Sequence, residues 1–423
     1  MYWRISALLV FILQVYLTFR GAKHLGKYFS PLVLFLLGIS IAWIWWRNLK
    51  RVAPGSEPAA DSDAASLREK GILGAFFGMF GMVAIYEIVR KSFAQYTPPG
   101  NYSDVLPQLE TMYHRFAAGE FPYAPVDVGT HIAYPVYLPL HWLPVGLMSD
   151  GRWVGFIALL LAIGLMCYYL FRIKSPLWQK MTAALLPAWI LYCYSKWGEI
   201  DLPVSFEMII AAYYLLLGIG LGTNNRILIA AGLITCLLSR YTLVFWLPLF
   251  ALMFWQREGK KYSLWLWGSV AAAVLLIYVF PFWMQSPEIL GKGLQYHNEA
   301  AVNEWKGYGE PPVSWSMERG IHFALHLKQI SGGGAENQVF IARIIQAAIM
   351  LLLLALGLGL YRRIRTGINP YDLGLMMLYL TVLCFYAFGP LTYRYYMIVP
   401  LMLSALLTAR IFVSRQATGS NTQ

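Results

Sequence analysis

Long apolar runs separated by polar connections occupy almost the whole chain, at residues 4–20, 29–46, 71–90, 151–171, 181–197, 202–221, 226–239, 241–256, 263–282, 339–361, 372–389 and 393–412. Most approach the roughly 17–25 residues that a membrane-crossing helix requires. None shows the period-2 alternation of a barrel strand. In lipid, each backbone N–H and C=O must be satisfied within the protein, and a helix does this within one segment. The pattern therefore predicts an all-α fold: a polytopic transmembrane helical bundle of about twelve spans. Residues 1–423 form a single integral membrane domain in this reading. The run at 226–239 is short and is expected to be a tilted or half span. Arg20 and Lys23 close the first run, and no A-x-A-like cleavage site follows it, so it is expected to be a retained span.

The polar connections differ in kind. Residues 47–70 are expected to be a cytoplasmic linker loop, with the low-complexity stretch APGSEPAADSDAAS at 53–66 as its centre. Residues 413–423 form a tail on the same side. Two long loops, 91–150 and 283–338, are expected on the outer face. Both are rich in Tyr and Trp, which favour the membrane interface. In the first, Ser103 and Asp104 are good helix caps and Gly119 a natural stop. Val105, Leu109, Met112, Tyr113 and Phe116 recur at helical spacing between them, which predicts an amphipathic interfacial helix. The prolines of YPVYLPLHWLP at 134–144 rule out a regular span and predict a re-entrant or interfacial turn.

Composition agrees with a lipid environment. Hydrophobic residues make up 58% of the chain and charged residues 13%, against about 25% charged in a soluble protein. The net charge is +12. Because the basic residues sit between apolar runs, the positive-inside rule accounts for them and no nucleic-acid partner is implied. Cys167, Cys193, Cys236 and Cys384 all lie inside apolar runs, so no disulfide is expected.

Several polar residues stand where apolar surroundings make them costly. Asp104, just beyond an outer boundary, suits a general base, or it simply caps the helix that follows. Glu199 and Asp201 in SKWGEID occupy a short outer connection, either as substrate-binding acids or as a solvated turn salt-bridged to Lys196. Arg240 and Arg394 interrupt apolar sequence near outer span ends. A guanidinium there suits a phosphate, or snorkels to lipid headgroups. His131, His141, His297, His322 and His326 match no zinc spacing, and neither metal nor cofactor is expected. His322 and His326, four apart, are placed on one interfacial helix face. SGGGAEN at 331–337 lacks the Lys-Ser/Thr ending of a phosphate loop and reads as a flexible joint.

Three elements in order resemble the first outer loop of the GT-C glycosyltransferases: NYSD ending at Asp104, GEFPY from Gly119 to Tyr123, and YPVYLP from Tyr134 to Pro139. Among these enzymes the chain is most similar to the family-87 polyprenyl-phosphate-mannose-dependent mannosyltransferases. KWGEID (Lys196 to Asp201) resembles their W-x-G-Q-x-N element, SRYT (Ser239 to Thr242) their basic span opening, and GPLTYR (Gly389 to Arg394) their late S-P-x-S-W-x-H element. The chain departs from the pattern at Glu199, Val136 and Tyr393. The resemblance implies transfer of a hexose, mannose by analogy, from a polyprenyl-phosphate-linked sugar donor to a glycan or glycolipid acceptor at the outer face of the inner membrane. Asp104 is then the catalytic base, and Arg240, Arg394 and Lys196 contact the donor phosphate. Glu199, Asp201, Tyr123, Tyr134, His131 and His297 line the substrate. Two other classes remain open on sequence: an O-antigen ligase or polymerase, whose chemistry centres on a late outer loop, and a transporter or lipid flippase, which would carry internal repeats and polar breaks at the bilayer midplane.

Overall fold

The computed structural model describes residues 2–49, 64–96, 104–128, 131–307, 315–364, 369–391 and 393–414. The first helix, α1 (Tyr2–Leu49), is two limbs rather than one rod. Gly26 breaks it at φ 76°, ψ 158°, a backbone state that a Cβ would strain. The limbs run antiparallel, because Arg4 near one end and Asn48 near the other both hydrogen-bond to Ser414. Next come α2 (Ala64–Ala84) and α3 (Tyr86–Gln95), bent by 41° at their junction. The amphipathic α4 (Val105–Ala117) follows, buried through Leu106, Gln108, Leu109 and Met112. A small antiparallel ribbon, β1 (Val126–Asp127) with β2 (Ile132–Ala133), pairs Val126 with Ala133. An extended stretch then leads into α5 (Pro139–Trp142) and a 3-10 turn, Leu143–Leu147.

The bundle continues with α6 (Arg152–Arg172), α7 (Leu177–Trp197), α8 (Glu207–Thr223), α9 (Arg226–Leu237) and α10 (Leu247–Val274), the last prolonged by a π-helical stretch, Leu275–Trp283. A second glycine reversal divides α10 at Gly259, φ 78°. Phe250 and Trp267 face each other across it, ring centroids 6.1 Å apart. Beyond lie α11 (Ile289–Lys306), the single-turn α12 (Trp315–Glu318), α13 (Ala324–Ser331), α14 (Ala335–Ile364), α15 (Pro370–Ala387) and α16 (Ile398–Val413).

Six helices among the described residues are long and apolar enough to cross a membrane, or seven if α2 and α3 count as one bent span. This is an all-α membrane protein. The most apolar windows of α15 and α16 are 83% and 89% buried, whereas those of α14 and α10 are only 22% and 17% buried. The first pair therefore forms the centre and the second the lipid-facing perimeter. Inside the centre, Gln14 donates to the Tyr379 hydroxyl at 3.2 Å and accepts from Ser404 at 2.8 Å. Such interhelical hydrogen bonds are each worth about 0.6–2 kcal/mol between apolar helices.

Several expectations are corrected. Helix α2 starts at Ala64, so Arg68 and Lys70 belong to its first turns and not to a linker reaching residue 70. The linker centre at 53–63, residues 101–103 of the NYSD element and the tail at 415–423 lie outside the described residues. His322 and His326 do not share a helix: His322 precedes α13 and bonds the Tyr386 carbonyl through Nδ1 at 2.8 Å. The segment SGGGAEN is a tight joint between α13 and α14, with Gly332 and Gly333 at positive φ.

The bundle has two distinct ends. Arg4, Asn48, Asn224, Arg257, Asn369, Asp372, Arg410 and Ser414 gather at one. They are stitched by Arg257 to Asn369 (2.7 Å), Asn369 to Asn224 (3.0 Å) and Arg410 to Asp372 (2.9 Å). The Gly26 turn, both long loops and the connections 198–206, 238–246 and 388–397 gather at the other. There Lys27 pairs with Glu318 at 2.7 Å.

Candidate active site

Asp104 stands at the N-cap of α4, yet its side chain makes no capping hydrogen bond. Its Oδ2 instead accepts from Gln108 Nε2 and from the Tyr296 hydroxyl, each at 2.9 Å. Tyr296 comes from α11, 192 residues away in sequence. Its hydroxyl also lies 2.7 Å from His131 Nε2 and its ring stacks on the imidazole, so the exposed His131 joins Asp104 through one intermediary.

The proline-rich loop forms one wall. Its backbone carbonyls accept hydrogen bonds from surrounding tyrosines: Tyr241 to Val136 O at 3.3 Å, Tyr123 to Tyr137 O at 2.9 Å and Tyr213 to Leu140 O at 3.1 Å. An extended loop lacks internal partners, so these hydroxyls satisfy groups that would otherwise be stranded among apolar side chains. Tyr123 is thereby a strut and not an open ligand, and Trp142 donates to its hydroxyl at 3.3 Å. The loop also receives Leu238 O at the Leu140 N–H, 2.9 Å, which ties it to the end of α9. Helix α11 packs on the loop through Gly293, where a β-carbon would come within 3.0 Å of the Pro135 carbonyl oxygen.

Arg240 follows α9 and forms an ion pair with Glu207 at the start of α8. Its guanidinium lies 5.0 Å from the Tyr396 ring centre. The fields of Asp104 and of this arginine both reach the Tyr137 side chain. Burial holds its hydroxyl well above the usual phenol range. The negative charge of Asp104 pushes it further up, and Arg240 pulls it back. On α11, one residue beyond Tyr296, burial lowers His297 to about 4, with Arg343 and Arg240 adding repulsion. His297 is therefore a neutral imidazole at physiological pH.

Arg343, four residues past the predicted start of a span at 339, was not among the sequence candidates. Its Nε and Nη2 are buried on the perimeter helix α14 without a hydrogen-bond partner among the described residues. A charge inside an apolar run is a functional signal by default, and that signal was present in the sequence.

Arg394 has different company. It pairs with Asp201, which is 2% exposed, and Asp201 also receives Arg319 from the second long loop. Arg319 reaches Glu199 too, at 3.0 Å. Glu199 adopts φ 53°, a left-handed state uncommon in non-glycine residues, and this directs its carboxylate toward the two arginines. The expected Lys196 bridge is replaced: Lys196 is exposed, and its side chain forms no ion pair or hydrogen bond among the described residues. Tyr134 is also surface-exposed, at 38%.

The Arg394 cluster still bears on the site. Arg394 opens the turn that carries Tyr395 and Tyr396, and Tyr393 just before it donates to Glu304 of α11 at 2.5 Å. Trp305 donates to Pro390 O at 2.7 Å. Helix α11 thus touches the proline-rich loop, Asp104 and this turn through Gly293, Tyr296, Glu304 and Trp305. Tyr296, Glu207, Arg319 and Arg343 are the site residues that sequence reasoning missed. Among the described residues, no group of three or more His, Cys, Asp or Glu side chains is placed to hold a metal. Comparison with known protein families, curated proteins and solved structures found no match.

Proposed function

We propose that the chain is a membrane glycosyltransferase of the GT-C kind, transferring a hexose from a polyprenyl-phosphate carrier to a glycan or glycolipid acceptor. Mannose is favoured by the family-87 resemblance. Counting both limbs of each glycine hairpin, α2 with α3 as one, α7, and the shorter α8 and α9 gives about twelve crossings. That count puts both termini on one side. Lys and Arg cluster in short connections at the end holding Arg4, Arg172, Lys174, Arg257 and Arg410. The positive-inside rule supports a periplasmic Asp104 end in this reading. Helix α9 has 12 residues and rises only about 18 Å, short of a hydrocarbon core of about 30 Å. Arg240 and the proline-rich loop bonded to α9 accordingly sit recessed toward the hydrocarbon core, from where a long guanidinium side chain reaches up to a lipid phosphate at the interface.

One observation carries the reading. A carboxylate released from helix capping is held by Tyr296 and Gln108, and the next residue on α11, His297, is kept neutral by burial, with Arg343 and Arg240 adding repulsion. In the reaction, an acceptor hydroxyl oxygen attacks the anomeric carbon. The bond from that carbon to the phosphate oxygen breaks, and Asp104 takes the hydroxyl proton. The lipid phosphate leaves with added negative charge, which the guanidinium groups of Arg343 and Arg240 stabilise. The donor reaches Arg343 laterally, since α14 faces lipid. Purified protein assayed against a panel of polyprenyl-phosphate sugars tests this. Asp104→Asn is expected to lose at least about 100-fold in rate with unchanged expression and elution. Full transfer by that variant would end the proposal.

A further inference from the structure

We infer that the opposite end of the bundle carries a binding site for the phosphate group of an anionic phospholipid. A cavity of about 270 Å³ opens there, lined by Arg4, Lys174, Ser175, Pro176 and Ser414. It lies between the start of α1, the α6–α7 connection and the end of α16. Arg4 donates through Nη2 to the Ser414 carbonyl oxygen, which fixes the guanidinium at the cavity wall. Its Nε is buried and has no partner, and the Ser175 hydroxyl is likewise buried and unpartnered among the described residues. One turn into α7, Lys180 is 8% exposed and donates to the Phe171 carbonyl oxygen at 2.7 Å. Among the described residues no carboxylate lines the cavity. Neither Arg4, Lys174 nor Lys180 forms an ion pair among the described residues.

Two buried donors without acceptors, surrounded by uncompensated positive charge, are complementary to an anion with several oxygens. The depth of the cavity indicates its source. Trp3 and Trp178 flank it at 37% and 57% exposure, and Leu177 beside them is 58% exposed. Indole rings on an apolar perimeter mark headgroup level. Basic pockets between helices at that level take the headgroups of anionic lipids. A phospholipid brings its phosphate to this depth with its chains along the exposed face of α7. This site is separate from the Asp104 end and does not depend on the proposed transfer reaction.

The test uses the full chain in detergent, with native mass spectrometry after titration with phosphatidylglycerol or phosphatidylcholine, and isothermal titration with inorganic phosphate alone. Retention of phosphatidylglycerol over phosphatidylcholine is expected. Lys174→Glu, at an exposed loop position that leaves packing intact, reverses one charge, and Arg4→Gln removes another. Each is expected to weaken retention by about fivefold or more, the value of one basic residue near a charged lipid surface. Equal retention of the two lipids, or unchanged retention in both variants, would overturn the site. Saturable binding of inorganic phosphate that Arg4→Gln abolishes, without selective lipid retention, would overturn the lipid assignment.

Discussion

Arg394 and Arg343 lie at the same end of the bundle, and both interrupt apolar sequence. Arg394 is matched. Asp201 meets it directly, Arg319 shares that carboxylate, and Glu199 closes the cluster from the surface side. Arg343 is buried on a helix that faces lipid, with two guanidinium nitrogens unpartnered among the described residues. Buried charge is tolerated only when paired. A buried carboxylate partner therefore marks a part that holds the turn at 393–397 in place. The lack of any carboxylate partner among the described residues marks a position that an external anion completes. The contrast separates arginines that sequence position alone treats alike.

The largest expected effect breaks the matched side. Asp201→Asn leaves two arginines facing each other without a carboxylate between them, and losing one partner of a buried pair costs about 3–5 kcal/mol. The variant is expected to aggregate at markedly lower temperature in detergent, read by size-exclusion chromatography after heating. Stability equal to the parent would show that Arg394 and Arg319 find other partners. Next comes the open side. Arg343→Gln removes an unpaired buried charge, so thermal stability is expected to hold or rise. The apparent donor affinity falls about 10- to 100-fold, from the loss of a charged hydrogen bond of about 1.5–3 kcal/mol. Arg343→Lys, which keeps the charge, restores part of it. A loss of stability without a change in donor affinity would place Arg343 with Arg394 as a structural residue.

Tyr296→Phe tests how firmly Asp104 is held. Tyr296 is one of two donors to the Asp104 carboxylate, and a hydrogen bond to a charged group is worth about 1.5–3 kcal/mol, so a rate loss of about tenfold is expected, with the donor dependence unchanged. The smallest effect is a pH dependence. The fold holds His297 at about 4, below the usual imidazole value of about 6.5. Its folded form binds fewer protons than the unfolded one between these values. The stability it contributes is present above the higher value and is lost as pH falls toward the lower. His297→Gln should flatten that part of the stability profile. A bound phosphate, by placing negative charge near the ring, should shift the profile of the unsubstituted protein upward.

The legible part of this architecture is the part set by local pattern. Apolar runs located the helical segments, closely at 151–171 for α6 and loosely at 71–90, which is α2 and α3 bent by 41° over 64–95. The spacing of Leu109, Met112 and Phe116 gave α4, whose ends at Val105 and Ala117 fall where the caps predicted. The prolines at 135, 139 and 144 gave an irregular loop. Partners that arrive through tertiary packing were not legible. Nothing near Arg319 announces that it reaches Asp201, 118 residues away, and nothing near Tyr296 announces Asp104. Lys196 looked like the natural counter-ion for Glu199 because it is close in sequence. The left-handed backbone at Glu199 turns that carboxylate toward Arg319 instead.

The reversals at Gly26 and Gly259 carry a consequence for how the chain is made. Each turns a helix back within a single residue, leaving no polar tether on which a finished limb could wait while the next is synthesised. The first limb of α10 spans only residues 247–258 before its turn, fewer than the roughly 20 residues of an ordinary span. Its limbs must therefore leave the ribosome-bound insertion machinery as a pair, already packed against each other, before either meets lipid on all sides.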